Sequence, residues 1–146
     1  MINPNCKDII EYLDNKKQTR IKNKTTNFTF ILLERKKESW LFNFIESKLS
    51  PKYRIKDICR GLIYKKGDFM SLHKDGDYDH AYLSGGMLLN DDYEGGEYII
   101  EGNKLKAPIC EVFTFGRNEL HEITPIKSGI RYSLHFHVML REASFI

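Results

Sequence analysis

An imidazole and a carboxylate, His73 and Asp75, stand two residues apart in the run Met70-Ser71-Leu72-His73-Lys74-Asp75-Gly76, and a second imidazole, His121, follows much later. Two imidazoles and one carboxylate are the donor set that holds a non-haem ferrous ion on one face, leaving open positions for a co-substrate and oxygen. The spacing suits that chemistry. Side chains alternate along a β-strand, so positions i and i+2 project to the same face about 6.5–7 Å apart, and a His-x-Asp pair can chelate one ion. The third donor must arrive from another strand, and His121 comes just after the apolar run Val112-Phe113-Thr114-Phe115, where a strand or its end would lie. Taken alone the pair is weak evidence, because 5 histidines and 20 acidic residues make chance His-x-Asp spacings common.

The stretch from Arg131 to Leu140 adds weight. Its alternation separates Arg131, Ser133, His135, His137 and Met139 from Tyr132, Leu134, Phe136, Val138 and Leu140, so one face is mostly polar and the other apolar. A surface strand with its polar side in water explains this pattern, and so does a barrel strand with a polar ligand inside. Arg131 and Ser133, two apart, can grip a carboxylate through a guanidinium and a hydroxyl.

Three segments in order, LIYKKGDFMSLHKD, LLNDDYEGGEY and FTFGRNELHEITPIKSGIRYSL, span about Leu62 to Leu134, half of the chain. Together they resemble the Fe(II)- and 2-oxoglutarate-dependent dioxygenases, in particular the prolyl 4-hydroxylase-like branch. The resemblance implies that His73, Asp75 and His121 ligate Fe(II). It implies further that Arg131 binds the distal carboxylate of 2-oxoglutarate with help from Ser133, that Tyr64 hydrogen-bonds the same co-substrate, and that O2 is consumed with ascorbate as a supporting reductant. Collagen-type prolyl hydroxylases usually carry lysine where this chain has Arg131, His137 stands where relatives often have tryptophan, and the DYEGG stretch is also close to that of lysyl hydroxylases. The prime substrate implied is therefore a protein or peptide, with proline or lysine as the residue modified.

Composition agrees with a small enzyme domain. At 146 residues and 41% hydrophobic, the chain can bury one core and is too short for two catalytic domains. The net charge is +3, unevenly spread: residues 1–66 hold 16 Lys/Arg against 7 Asp/Glu, and residues 67–146 hold 7 against 13. A basic front half permits binding to an acidic peptide or a nucleic acid, although a solvated basic face is the commoner meaning. Cys6, Cys59 and Cys110 are odd in number, widely spaced and without a CxxC pair, and read as reduced thiols. With no signal-like or membrane-length apolar stretch, the expectation is a soluble intracellular, cytoplasmic protein with no membrane partner.

The elements that must position these residues can be drafted from periodicity. Helices are expected around Lys7–Lys17 and Glu38–Leu49, the second with Trp40-Leu41, Phe44-Ile45 and Leu49 as a core stripe, and the polar segment running to Thr25-Thr26 reads as a connector. Strands are expected at Asn27–Leu33 and at about 53–64, 69–74, 83–89, 96–101, 104–115, 119–124 and 130–140. The fold class is mainly β with flanking α. It is a double-stranded β-helix, a jelly-roll or cupin-like barrel, in one domain over 1–146, with N-terminal support over about 1–52 and the barrel core over about 53–140.

Gly95-Gly96 reads as a turn, and Glu97 either orders a ligand histidine or lies on the surface. His135 and His137 either touch substrate, serve as competing ligands, or sit as hydrogen-bonded core histidines. Tyr78 and Tyr82, flanking His80 in the polar loop after Asp75, are expected near the substrate. Three function classes follow: a peptidyl hydroxylase, a nucleic-acid oxidative demethylase, and a non-catalytic barrel that binds a small ligand. The second lacks an aromatic cluster with basic spacing. The complete donor set with Arg131 counts against the third.

Overall fold

The computed structural model describes residues 4–76 and 81–141. In chain order it contains α1 (Cys6–Asp14), β1 (Thr19–Lys22), β2 (Thr26–Glu34), α2 (Ser39–Ser47), β3 (Tyr53–Ile55), β4 (Ile58–Tyr64), β5 (Phe69–His73), β6 (Leu83–Leu88) and β7 (Glu94–Gly95). There follow β8 (Tyr98–Ile100), β9 (Asn103–Lys104), β10 (Val112–Gly116), β11 (His121–Ile123), β12 (Ile126–Ser128) and β13 (Arg131–Leu140). The main sheet runs β10-β6-β13-β4-β2-β5-β11-β8-β9, with β1 added to β2 and β3 to β13, and β12 pairs separately with β7. Tyr98 on β8 and Phe113 on β10 lie near opposite ends of that order, yet their rings are 5.4 Å apart. The antiparallel sheet is therefore rolled on itself into a double-stranded β-helix.

Alternation on β13 assigns the two sides of the roll. Leu134, Phe136 and Val138 are buried in the larger core with Ile9 and Leu13 of α1 and Leu41, Phe42 and Ile45 of α2, while Arg131, Ser133, His135 and His137 face the interior. A strand covered on one side by helices and on the other by a polar cavity excludes the surface-strand alternative. Ile31 and Leu33 of β2 point the same way as Leu134, and Phe28 joins Leu62, Tyr64, Ile123 and Ile126 in a second cluster beneath Arg131. α1 begins at a reciprocal cap, the Asn5 side chain accepting from Asp8 N–H and the Asp8 carboxylate from Asn5 N–H.

Several expected boundaries shift for local reasons. The anticipated connector contains β1, whose exposed, polar side chains hide its pairing with β2 from any periodicity test. The expected 53–64 strand breaks at Lys56-Asp57, where Asp57 turns to accept from Arg35 and Arg54. The expected 104–115 strand survives only at its ends, because Pro108 lacks an N–H and Cys110 takes a positive φ of 65°. Gly95 and Gly96, with φ of 76° and 60°, supply backbone freedom as expected, and Gly95 pairs with Ile126 of β12.

The expectation of three reduced cysteines is corrected. Cys6 and Cys110 form a disulfide across 104 residues, and only Cys59 is a free, buried thiol. Wide spacing in sequence concealed a close approach: Cys110 N–H donates to Leu88 O at 2.8 Å, and the Cys6 sulfur lies 4.0 Å from the same carbonyl. No helix among the described residues is long and apolar enough to cross a membrane.

Candidate active site

His73 closes β5, and its partner across the β5–β11 ladder is His121, so the two imidazoles are cross-strand neighbours with ring centroids 4.3 Å apart. Asp75 lies just beyond β5. Its Oδ1 is 3.6 Å from His73 Nε2 and 3.3 Å from His121 Nε2, and donor atoms of the three residues all lie within 4.8 Å of one another. His73 Nδ1 sits 2.7 Å from Ser71 O, and His121 Nδ1 sits 3.0 Å from Glu119 O. A carbonyl only accepts, so each Nδ1 carries a hydrogen and each Nε2 is aimed inward, as in ligating histidines. The other Asp75 oxygen, Oδ2, accepts from Ser84 Oγ at 2.5 Å.

Electrostatics bind the same residues together. Burial alone would raise the Asp75 carboxyl, but hydrogen bonds from His121 and Ser84 hold it well below the usual carboxylate range. Burial would lower His121, and the hydrogen bond to Asp75 raises it instead. A divalent cation bound by the triad would replace the proton in this pairing. Two imidazole nitrogens and a carboxylate oxygen fit Fe(II), leaving the remaining positions to other ligands.

Arg131 opens β13 and is 1% exposed. Its Nε donates to Gly96 O at 3.1 Å and its Nη1 to Ser133 Oγ at 2.9 Å, while the guanidinium carbon lies 5.3 Å from the Tyr64 ring centroid and 5.8 Å from that of Tyr98. Nη2 is buried with no acceptor among the described residues. A buried cationic N–H left unpaired costs about 1–3 kcal/mol or more, so this atom marks where an anionic ligand oxygen belongs. Arg131, Ser133, Tyr98 and the His73-Asp75-His121 triad line one cavity of about 780 Å³, a size suited to a small organic molecule. The residues present thus fit both a ferrous ion and a dicarboxylate.

The other expected site residues divide. His135 and His137 line the cavity, on the face that carries Arg131. Tyr64 is fully buried behind the wall, stacked on Phe28 with centroids 5.3 Å apart, and its hydroxyl points to the Met70 sulfur at 3.9 Å; burial pushes its pKa up. Tyr82 is 50% exposed and stacks on Tyr53 outside the cavity. Tyr78 and His80 lie outside the described residues. Glu97 pairs with Lys104 at 2.9 Å on the surface rather than with a histidine among the described residues.

Sequence reasoning missed Tyr98 and Ser84. Tyr98 stacks on His121 with centroids 5.9 Å apart and an interplanar angle of 8°, touches Phe113 and Phe115, and reaches toward Arg131, so it bridges the His73-Asp75-His121 group and the guanidinium. Burial drives its hydroxyl pKa up, leaving a neutral phenol. Its place in DYEGGEY, two residues after the glycine pair, was the available signal. Ser84 gave none, because it meets Asp75 only in the folded roll, where β6 is flanked by β10 and β13.

No protein-family model matches the chain, and no curated protein matches it. Solved structures do. An oxidoreductase of the 2OG-Fe(II) oxygenase family from Burkholderia pseudomallei superposes with a TM-score of 0.68 at 18% identity, covering 89% of this chain and 76% of the other. A prolyl-4-hydroxylase from Pseudomonas putida gives 0.66 at 16% identity over 92% and 83%. The viral collagen prolyl hydroxylase of Paramecium Bursaria Chlorella virus-1, solved with 2OG, gives 0.60 at 20% identity over 91% and 88%. At these identities the likeness is one of fold.

Proposed function

We propose that this protein is an Fe(II)- and 2-oxoglutarate-dependent oxygenase that hydroxylates a C–H bond of a protein or peptide, most simply a prolyl residue, with residues 1–146 forming its catalytic domain. The observation that carries this reading is one cavity holding both the His73-Asp75-His121 donor set and the buried, unsatisfied Nη2 of Arg131. Fold alone would not carry it, since one fold hosts many chemistries. The named activities of the structural neighbours support the choice of a prolyl substrate.

In this reading His73, Asp75 and His121 hold the metal, and iron bound with 2-oxoglutarate and O2 supplies the oxidising chemistry, with succinate and carbon dioxide as co-products. The chain's own residues position and insulate. Arg131 Nη2 and Ser133 Oγ fix the far carboxylate of the co-substrate. Tyr64 backs the guanidinium with its ring, and Tyr98 walls the space between Arg131 and His121. Gly96 O and Ser133 restrain the guanidinium on two sides, so little reorganisation is needed when the anion arrives. Phe113 and Phe115 keep the metal side of the cavity apolar and exclude water. His135 and His137 also lie on the cavity wall.

The test is a panel of prolyl peptides, lysyl peptides and methylated oligonucleotides incubated with Fe(II), 2-oxoglutarate and ascorbate, read by mass spectrometry for a gained oxygen or a lost methyl group. Hydroxylated prolyl peptide with matching succinate supports the proposal. Oxygen gain on lysine alone, or methyl loss from the oligonucleotides, replaces its substrate, and absence of succinate under every condition overturns it.

A further inference from the structure

We propose that the cavity holds a second divalent-cation site, formed by Asp75, His135 and His137, with Asp75 shared between it and the His73-Asp75-His121 centre. Alternation on β13 places His135 and His137 two apart on the cavity face, with ring centroids 5.0 Å apart. This is the same i, i+2 arrangement that presents His73 and Asp75. Donor atoms of Asp75, His135 and His137 lie within 4.8 Å of one another, the limit the first triad also meets.

The two oxygens of Asp75 are divided between the sites. Oδ1 faces His121 at 3.3 Å and His73 at 3.6 Å, whereas Oδ2 faces His135 Nε2 at 3.8 Å while accepting from Ser84. His135 also has the orientation of a ligand. Its Nδ1 lies 3.4 Å from Gly85 O, and because a carbonyl only accepts, Nδ1 carries the hydrogen and Nε2 is turned toward the carboxylate. His73 and His121 are held in the same way, by Ser71 O and Glu119 O. Three histidines around one carboxylate, each fixed by a backbone carbonyl behind it, are more than one mononuclear centre of this kind needs.

Donor type selects the ion. Two imidazoles and a carboxylate favour zinc, cobalt or nickel over magnesium or calcium. With bonds of about 2.0–2.1 Å, tetrahedral ligands stand about 3.3 Å apart, so the first triad is already near that spacing and the second must close by about half an ångström along the Asp75–His135 edge. The first centre therefore fills first. A carboxylate bridging two cations binds each through a different oxygen, and the structure already presents Asp75 in that division.

The inference rests on the triad reading through Asp75 alone, and metal titration separates the two. Metal-stripped protein is titrated with Co²⁺, following the visible absorption, and zinc content is measured after equilibration with excess Zn²⁺ and dialysis. The expected result is two equivalents in the parent protein, in two successive phases, and one equivalent in His135→Gln/His137→Gln. His73→Gln/His121→Gln is expected to keep one equivalent, held by the second site. A single break at one equivalent in the parent protein overturns the second site whatever the variants do, so the proposal stays falsifiable even if a variant fails to fold. Two equivalents persisting in folded His135→Gln/His137→Gln overturn it as well. Two equivalents persisting in folded His73→Gln/His121→Gln would instead overturn the triad.

Discussion

Arg131→Gln keeps a polar amide beside Ser133 while removing the charge and the Nη2 donor that has no acceptor. A hydrogen bond to a charged group is worth about 1.5–3 kcal/mol, so KM for 2-oxoglutarate should rise about 10- to 100-fold with a smaller change in kcat. Steady-state kinetics against 2-oxoglutarate check this, and an unchanged KM would remove Arg131 from the anion pocket. Tyr98 makes a different demand. Its ring touches His121, Phe113 and Phe115, so Tyr98→Ala should lower unfolding free energy by about 3–5 kcal/mol, whereas Tyr98→Phe should cost under about 1.5 kcal/mol in urea denaturation. Residue types and spacing made His73, Asp75, His121, Arg131 and Ser133 candidates, and the order of the three resembling segments gave them weight, because a lone His-x-Asp spacing is common. Tyr98 lay beside the glycine pair but, like Ser84, was not singled out, since each reaches the site through strand pairings that sequence spacing does not encode.

The turn between β4 and β5 depends on Asp68, which is 3% exposed and accepts from Lys65 N–H, Arg20 Nη1 and Arg20 Nη2 at 2.9, 2.7 and 2.6 Å. Burial would raise its pKa, but Arg20 and the Lys65 amide bring it below the ordinary value. A depressed folded pKa means that the stabilisation is complete above the unfolded value near 4 and is lost as pH falls through the folded one. Asp68→Asn should therefore cost about 1 kcal/mol at neutral pH, modest because Arg20 is partly exposed, and that difference should shrink below about pH 4. Urea titrations of both proteins across pH test it; a difference independent of pH would assign the loss to packing. At the β7 turn, a Cβ on Gly96 would stand 2.3 Å from Ile126 Cδ1 and 3.1 Å from Arg131 Cδ in a left-handed backbone. Gly96→Ala should cost about 2 kcal/mol and raise the 2-oxoglutarate requirement by displacing Arg131. Long amphipathic elements such as β13 and α2 were legible because one face of each meets the core. β1, β7 and β12 were not, being short, polar or governed by glycine backbone freedom.

Across the whole molecule, the Cys6–Cys110 disulfide ties α1 to the segment before β10, closing a separation of 104 residues. Disulfides typically contribute about 2–4 kcal/mol, so Cys6→Ser/Cys110→Ser should unfold at correspondingly lower urea. Reductant should bring the parent protein to the same midpoint and leave the variant unchanged; a parent midpoint insensitive to reductant would exclude the cross-link. The rolled sheet does the rest, bringing β5 and β11 around the same cavity as β8 and β13 so that donors and guanidinium share it. Whether that cavity is a dioxygenase centre is tested most directly by adding Fe(II) and 2-oxoglutarate to the metal-stripped protein without oxygen and recording the visible spectrum. The account predicts a charge-transfer band in the parent protein, its loss in His121→Ala, and a higher 2-oxoglutarate requirement for the band in Arg131→Gln. A folded parent protein that gives no band, or a band that survives in His121→Ala, would contradict it.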